Sequence, residues 1–360
     1  MGLHDIEVFL EETARKVNVR IEKYIPRIFS ENSLLFKIIS PKCCIDFDAL
    51  NRAISEPMWE FLDRGGKRWR PALFLLLYEV FGGTSIEDAL DFAVIPELIH
   101  NGTLIADDIE DSSDMRRGKP CTYRIYGLDI AINLSQAMYF LPMIILSDKS
   151  EKISIETAKR LYEVYIQEMV KLSLGQAIDI AWHRGLIPIE NLQEEHYLQM
   201  CAYKTGTLAR MAAKMAAILA GLSNEVAEKA GMFAESIGVA FQIQDDILDI
   251  TGEEFAKGKG GLGMDITEGK ITLMVIHTLR KASGEDRKEL LRILGMHTKD
   301  ESLRMKAINI MYKHGAVEYA KSVASKLVKE GWSYIEGLIR EEEAKKKVKM
   351  FAEYLIQREI

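Results

Sequence analysis

Two acidic segments of one pattern, DDIED at residues 107–111 and DDILD at residues 245–249, lie far apart in the chain. On an α-helix, side chains four residues apart share a face, so the first and last aspartates of each segment point the same way. Like charges at this spacing repel each other and destabilise an isolated helix. A cation between the carboxylates removes that repulsion, and hard oxygen ligands with room for water and phosphate suit Mg²⁺. The repeated pattern predicts a site that holds a phosphorylated substrate through magnesium.

A glycine-rich basic segment, GGKRWRP at residues 65–71, directly precedes an apolar stretch. Glycine allows close backbone approach, and a helix amino terminus favours anions, so Lys67 and Arg70 could hold a phosphate there. An ordinary basic loop that caps a helix would give the same residues. The segment is therefore a candidate anion site that needs support from its neighbours.

Three more polar residues flank the first acidic segment. Arg116 and Arg117 follow it closely and offer fork-shaped guanidinium donors for phosphate oxygens. His100 lies two turns before it on the same predicted helix. A surface loop and a structural histidine are the ordinary interpretations of these residues. Their position beside metal-binding carboxylates makes them candidate phosphate ligands.

Polar residues also precede the second acidic segment. Lys204-Thr205-Gly206 interrupts an apolar helical pattern, where glycine costs about 1 kcal/mol relative to alanine. The interruption serves either close contact between helices or a bend that presents Lys204 and Thr205 to a cavity. Gln242 lies one turn before the segment and would face much the same cavity.

The chain as a whole reads as helical, and only 8 prolines occur in its 360 residues. The glycine-rich segment at residues 258–269 is predicted to be a long loop, which could close over a polyanion with the help of Lys257, Lys259 and Lys270. With neither a short repeat nor a linker, residues 1–360 are predicted to form one all-α domain. Apolar residues recur at helical spacing in four long stretches, which are residues 86–111, 155–184, 194–220 and 226–250.

Composition limits the class of protein. A hydrophobic fraction of 48% with 28% charged residues is that of a globular protein with a sizeable core. The net charge of −7 argues against nucleic acid as a partner. The longest apolar runs are too short to span a bilayer, and four cysteines lack zinc-site spacing. Without a signal peptide pattern at the amino terminus, the cytoplasm is the expected location.

Taken together, these segments resemble the trans-isoprenyl diphosphate synthase (polyprenyl synthase) family. The stretches GGKRWRP, LIHNGTLIADDIEDSSDMRRGKP, GQAIDIAW, KTGTL and FQIQDDILDITG occur in the family's order between about residues 60 and 280. The resemblance implies the isoprenoid synthase type I fold, a single-domain helical bundle around a central cavity, in a homodimer. It also implies a prenyltransferase that joins isopentenyl diphosphate head-to-tail to an allylic diphosphate with the help of Mg²⁺.

The resemblance assigns roles to individual residues. Three Mg²⁺ ions would be held by Asp107, Asp111 and Asp245, with Asp108, Asp246 and Asp249 supporting them, and these six aspartates with Lys204 form the catalytic set. The residues that match the isopentenyl diphosphate site are Lys67, Arg70, His100 and Arg117. Those that match the allylic diphosphate site are Arg116, Lys204, Thr205, Gln242, Lys259 and Lys270. The glycine-rich loop carries one residue more than the family pattern, so Lys257 is an alternative to Lys259.

Product length should depend on what blocks the hydrocarbon pocket beneath the first acidic segment. Gly102 and Thr103, one turn upstream, are small, whereas synthases that stop at fifteen carbons usually carry a bulky aromatic residue there. Tyr139 and Phe140 could form a deeper floor, and Ser173 stands where the geranylgeranyl subgroup tends to have histidine. The expected product is geranylgeranyl diphosphate, with twenty carbons, or the twenty-five-carbon homologue.

Three other functions fit part of the pattern. A farnesyl diphosphate synthase shares the motifs but not the small residues of the pocket. A terpene cyclase would share the fold and the first acidic segment, but its second metal motif normally mixes Asn, Ser and Glu. A non-catalytic partner subunit would be expected to lack metal or basic positions, and the main ones are all present.

Overall fold

The computed structural model describes residues 3–252 and 261–356, and most of them are α-helical. This confirms the predicted all-α fold class. The helices of the amino-terminal half are α1 (Leu3–Tyr24), α2 (Leu34–Ile39), α3 (Phe47–Leu50), α4 (Glu56–Asp63), α5 (Trp69–Val80), α6 (Ile86–Glu110), α7 (Thr122–Tyr126), α8 (Leu128–Phe140) and α9 (Met143–Lys149). A π-helical turn, Asn51–Ser55, joins α3 to α4.

The later helices are α10 (Ile155–His183), α11 (Glu194–Lys204), α12 (Gly206–Leu219), α13 (Asn224–Thr251), α14 (Met264–Glu268), α15 (Leu273–Lys281), α16 (Gly284–Gly295), α17 (Glu301–Lys313), α18 (Ala316–Ile335) and α19 (Glu342–Ile356). Short 3-10 turns occupy Ile189–Asn191 and Glu336–Leu338. Within the described ranges the strands are β1 (Met115–Arg116) and β2 (Lys119–Pro120), which pair antiparallel with Met115 opposite Pro120.

The chain divides into two compact units. The first comprises Met1–Gln167, Met211–Gly231 and Leu338–Val348. The second comprises Glu168–Arg210, Met232–Gly337 and Lys349–Ile360. Residues 107–111 belong to the first unit and residues 245–249 to the second, so the cavity that we expect them to share stays a prediction, as does the single domain.

In the first unit, α6 packs against α5 and α8. The Ser85 hydroxyl accepts a hydrogen bond from the Asp88 amide and so caps the start of α6, where Glu87 and Asp88 also suit the helix dipole. Gly102 allows α8 to approach closely, since a Cβ there would lie 2.9 Å from Met138 Cβ. The contact fixes the carboxyl half of α6, which carries the first acidic segment.

In the second unit, the break between α11 and α12 occurs at Thr205, as the Lys204-Thr205-Gly206 interruption predicted. The break also makes a close helix contact, because a Cβ on Gly238 of α13 would lie 2.8 Å from Gly206 Cα. Gly175 of α10 is equally tight, with its Cβ position 2.4 Å from the Lys204 amide nitrogen. The interruption therefore gives both a helix break and a close helix contact, whereas the presentation of Lys204 and Thr205 to a cavity stays a prediction.

One local expectation needs correction. The glycine-rich segment was expected to be a loop throughout, but Met264–Glu268 forms one helical turn, α14, between Gly263 and Gly269, which both have positive φ. The polar connection after the first acidic segment contains the β1–β2 hairpin. Lys257 and Lys259 lie outside the described residues.

Among the described residues, one stretch, Leu128–Lys149, is long and apolar enough to cross a membrane by length and composition alone. Its mean hydropathy is 1.6, and 39% of the tested window is buried. The stretch is divided between α8 and α9 at Leu141 and Pro142. A core helix passes the same test, so this stretch carries no argument for a membrane location.

Candidate active site

The first acidic segment forms the last turn of α6, with Asp111 as its cap residue. Asp107 and Asp111 are half-buried, whereas Asp108 between them is buried. Arg116 Nε donates to Asp108 Oδ1 at 2.7 Å, and its Nη2 lies 3.6 Å from Asp107 Oδ2. Burial raises the pKa of Asp108, and Arg116 opposes that shift. The geometry favours Asp107 and Asp111 as ligands and Asp108 as the residue that anchors Arg116.

Four of the predicted phosphate-binding residues lie in the same unit. Arg70 is buried, with its guanidinium 4.6 Å from the Trp69 ring, whereas Lys67 is exposed. Burial, followed by the charges of Arg70 and Arg117, holds the pKa of His100 well below its ordinary value. His100 is therefore a neutral hydrogen-bonding group at neutral pH, and the arginines supply the positive charge.

Arg117 stands at the tip of the β1–β2 hairpin in the left-handed region, with a φ of 52°. Its guanidinium lies 5.2 Å from the Phe61 ring, and its Nη1 donates to Asn101 Oδ1 at 3.3 Å. A Cβ on Gly66 would lie 3.1 Å from Arg117 Nη2, so a larger residue there would require the guanidinium to shift. Burial and the charge of Arg68 lower the pKa of Arg117 to about 10. Arg117 thus lies close to the glycine-rich basic segment at residues 65–71 and to α6, and positive charge is concentrated there.

The second acidic segment forms the end of α13. Asp245 is half-buried, whereas Asp246 and Asp249 are buried. Asp246 accepts hydrogen bonds from Tyr197 Oη at 2.7 Å and from Gln242 Nε2 at 2.8 Å. Asp249 Oδ2 accepts from the Asp265 amide at 3.1 Å. The two buried carboxylates are therefore held by protein donors, which favours Asp245 as the metal ligand of this segment.

The other predicted residues of the second unit lie close to this segment in the hydrogen-bond network. Thr205 Oγ1 donates to Gln242 Oε1 at 2.8 Å, so the helix break is linked through Gln242 to Asp246. Lys204 Nζ pairs with Asp179 of the GQAIDIAW stretch. Lys270 pairs with Glu268 at 2.6 Å and borders a small cavity with Asp246, Asp249 and Asp265.

The predicted pocket residues separate into two groups. Gly102 and Tyr139 are brought together, since a Cβ on Gly102 would lie 3.1 Å from a ring carbon of Tyr139. Thr103 is half-buried beside Gly102. Phe140, by contrast, is 68% exposed, and Ser173 is also exposed. Gly102, Thr103 and Tyr139 are thus better placed than Phe140 and Ser173 to limit a pocket in the first unit.

Sequence reasoning overlooked the residues that hold the site residues. Tyr197, Asp179 and Asp265 support the second acidic segment and Lys204, and Asn101 supports Arg117. Asn101 and Asp179 stand inside stretches that matched the family, and that was the available signal. Tyr197 and Asp265 become visible only from their contacts.

Within residues 3–252 and 261–356, no group of three or more Asp, Glu, His or Cys side chains is placed to hold a metal ion by itself. Magnesium is commonly bound through one or two carboxylates together with water and substrate phosphates. Asp107 in the first unit and Asp245 in the second are half-buried residues of that kind, and Asp111 is half-buried with both carboxylate oxygens shielded from solvent. The donor set therefore fits Mg²⁺ that arrives with a diphosphate.

The mostly helical architecture matches polyprenyl synthase structures, which have the isoprenoid synthase type I fold. The sequence model named "Polyprenyl synthetase" matches residues 51–311. A short chain isoprenyl diphosphate synthase of Methanothermobacter thermautotrophicus is 37% identical over 297 residues, which are 82% of this chain and 87% of that protein. A geranylfarnesyl diphosphate synthase of Aeropyrum pernix is 32% identical over 82% of this chain and 91% of its own length.

Solved structures of related proteins have the same fold as this chain. The crystal structure of a geranylgeranyl pyrophosphate synthetase from Pyrococcus horikoshii has a TM-score of 0.79 and 28% sequence identity, and the match covers 97% of this chain and 99% of that chain. The chain belongs to the polyprenyl synthetase family. The expected activity class, a prenyltransferase of isoprenoid biosynthesis, is confirmed, and the family is in general Mg²⁺-dependent.

Proposed function

We propose that this protein condenses isopentenyl diphosphate head-to-tail with an allylic diphosphate to give geranylgeranyl diphosphate or a longer product. The observation that carries the proposal is the family match over residues 51–311, in which both acidic segments and GGKRWRP stand in order. Relatives named for products of twenty carbons and more support the product range. Farnesyl synthesis, cyclisation and a silent subunit are not favoured.

The proposed ligands of three Mg²⁺ ions are Asp107, Asp111 and Asp245, and bound Mg²⁺ would neutralise the charge of the leaving diphosphate. Asp108, Asp246 and Asp249 hold the neighbouring donors in place. The allylic diphosphate contacts are Arg116, Lys204, Thr205, Gln242 and Lys270, together with Lys259 of the glycine-rich segment. Lys67, Arg70, His100 and Arg117 bind isopentenyl diphosphate.

The chemistry then follows from charge. The allylic C–O bond breaks, its electron pair leaves with diphosphate, and an allylic carbocation remains. The double bond of isopentenyl diphosphate supplies the pair for the new C–C bond. A C–H pair then forms the new double bond, and the departing diphosphate takes the proton. His100 has its pKa lowered by burial and nearby arginines, which suits it to hydrogen-bond a phosphate while uncharged.

The proposal extends to assembly. We propose one synthase domain across residues 1–360, acting as a homodimer in the cytoplasm. Exposed apolar side chains of α7 and α8, which are Ile125, Leu128, Ile132 and Phe140, support a second copy as the partner. Light scattering of the purified protein checks the dimer, and a monomer would contradict it.

The decisive experiment incubates purified protein and Mg²⁺ with isopentenyl diphosphate and dimethylallyl, geranyl or farnesyl diphosphate in turn. Products of twenty or more carbons are expected, together with diphosphate release that requires isopentenyl diphosphate. Release from the allylic substrate alone would indicate a cyclase. No release with any primer would indicate a binding role, and chelation of Mg²⁺ provides the control.

A further inference from the structure

A buried ion pair joins the glycine-rich basic segment to the middle of α6. Arg68 Nη1 donates to Glu97 Oε1 at 2.9 Å, and the two residues are 3% and 2% exposed. Replacing such a pair by apolar residues is often neutral for stability, since desolvation offsets the attraction of the charges. Stability alone therefore does not explain why the pair lies here.

The pair continues into a chain of hydrogen bonds. Glu97 Oε1 also accepts from Asn101 Nδ2 at 2.8 Å, one helical turn further along α6. Because the Asn101 amide nitrogen is bound by Glu97, its oxygen faces the other way and accepts from Arg117 Nη1 at 3.3 Å. Asn101 is fully buried. The chain thus runs from Arg68 through Glu97 and Asn101 to Arg117.

The two arginines at its ends have unusual backbones. Arg68 and Arg117 have φ values of 48° and 52°, in the left-handed region that residues other than glycine rarely adopt. The hydrogen bonds of the two arginine side chains at the ends of this hydrogen-bond chain hold their backbone conformations. Arg68 is further fixed because its Nη2 donates to the Leu62 carbonyl at 2.9 Å. Arg117 is thereby held against the Phe61 ring and beside Gly66.

The charges leave an excess of positive charge. Glu97 provides one carboxylate beside two guanidinium groups, and it pairs directly with Arg68 rather than with Arg117. Arg117 interacts with the chain through the neutral Asn101 amide, so its charge remains available for an anion.

We propose that Arg68, Glu97 and Asn101 are positioning residues that orient Arg117 toward the diphosphate of isopentenyl diphosphate. This inference rests on the proposed function and adds three residues to it. Loss of this chain of hydrogen bonds should weaken binding of isopentenyl diphosphate and leave binding of the allylic diphosphate almost unchanged.

The test compares Asn101→Leu, which removes all three side-chain hydrogen bonds of Asn101 and keeps a branched side chain, with Glu97→Gln, which keeps the acceptor oxygen and removes the charge. We expect Asn101→Leu to raise KM for isopentenyl diphosphate by about tenfold, with KM for the allylic substrate within about twofold. Glu97→Gln should give a smaller change in the same direction. In the double variant Asn101→Leu/Arg117→Ala, the loss should not exceed that of Arg117→Ala alone.

The matched control is Asp91→Asn, which removes another buried carboxylate of α6 that pairs with Lys149 at 2.7 Å. It should lower the melting temperature without a selective change in either KM. Calorimetric titration of isopentenyl diphosphate into each variant gives a readout that needs no turnover, and Glu97→Gln serves if Asn101→Leu does not fold. Equal changes in both KM values, or additive losses in the double variant, would overturn the inference. A wild-type protein that binds isopentenyl diphosphate without turnover would instead contradict the proposed function.

Discussion

At the scale of single residues, each acidic segment divides its carboxylates between two tasks. The half-buried aspartates are the proposed metal ligands, and the fully buried ones accept hydrogen bonds from neighbouring groups. Asp108 receives Arg116, and Asp246 receives Tyr197 and Gln242. A buried carboxylate with donors on both oxygens is costly to alter, because those donors lose their partner.

This division predicts different consequences for Asp245→Asn and Asp246→Asn. Asp245→Asn should lower kcat about a hundredfold or more by removing a metal ligand, with little change in stability. Asp246→Asn should cost about 1–3 kcal/mol of unfolding free energy, because an NH2 group replaces one of the two acceptor oxygens and leaves one donor, Tyr197 or Gln242, without its partner. Steady-state kinetics and urea unfolding of both variants check this. Equal destabilisation by the two changes would contradict the division.

His100 carries a prediction on pH and stability. Its pKa lies well below the ordinary value of 6.5, so the folded protein keeps the ring neutral while the unfolded chain takes up a proton below that pH. The unfolded state binds more protons there, so the contribution of His100 is present above pH 6.5 and is lost as pH falls toward the folded-state pKa.

We expect His100→Gln to reduce the loss of unfolding free energy between pH 7 and pH 5. The measurement is urea unfolding of both proteins at each pH, without substrate. The difference between the two proteins isolates His100 from the other histidines. An identical slope against pH would contradict the burial of this ring.

At the scale of helices, most of the secondary structure was predictable. The apolar periodicity predicts α6, α10 and α13 to within two residues at either end, because long amphipathic helices repeat the signal many times. The helical turn α14 was not predictable, since five residues are too few to establish a period. For the same reason the hairpin that carries Arg116 and Arg117 left no strand pattern.

The close contact of Gly206, which directly follows the helix break at Thr205, gives a prediction about packing. Gly238→Ala should destabilise the protein by about 1–3 kcal/mol, because the new methyl group would meet the backbone of Gly206. The control is Gly295→Ala, at the end of α16, where nothing lies within 4 Å and φ is not positive. This control should be neutral or slightly stabilising. Thermal unfolding of both variants tests this prediction, and equal changes in stability would mean that the close contact is absent.

At the scale of the molecule, the chain lengths of products test whether the proposed pocket exists. Thr103→Phe places a ring one turn before Asp107 and should shorten the main product toward fifteen carbons. Product sizing after extended incubation measures this. Ser147→Ala on α9 serves as a control for effects of substitution that do not depend on the pocket. An unchanged distribution would show that the hydrocarbon tail does not pass Thr103.

The candidate site was only partly predictable at this scale. Family motifs point to residues such as Asp107 and Arg117, because these residues have a characteristic type and order. The side chains that hold them, such as Glu97 and Tyr197, are ordinary polar residues within helices. Their importance comes from partners distant in sequence, which a pattern within one stretch does not reveal.

Glu97, His100, Gly102 and Asp107 all lie on one continuous helix, α6. Inserting or deleting one residue between them would turn everything downstream by about 100° and separate the anion site, the pocket and the metal ligands. Substitutions at positions 102 and 103 leave that alignment unchanged. We therefore expect related enzymes to diversify their products through point changes in this helix, while its length between Glu97 and Asp107 stays constant.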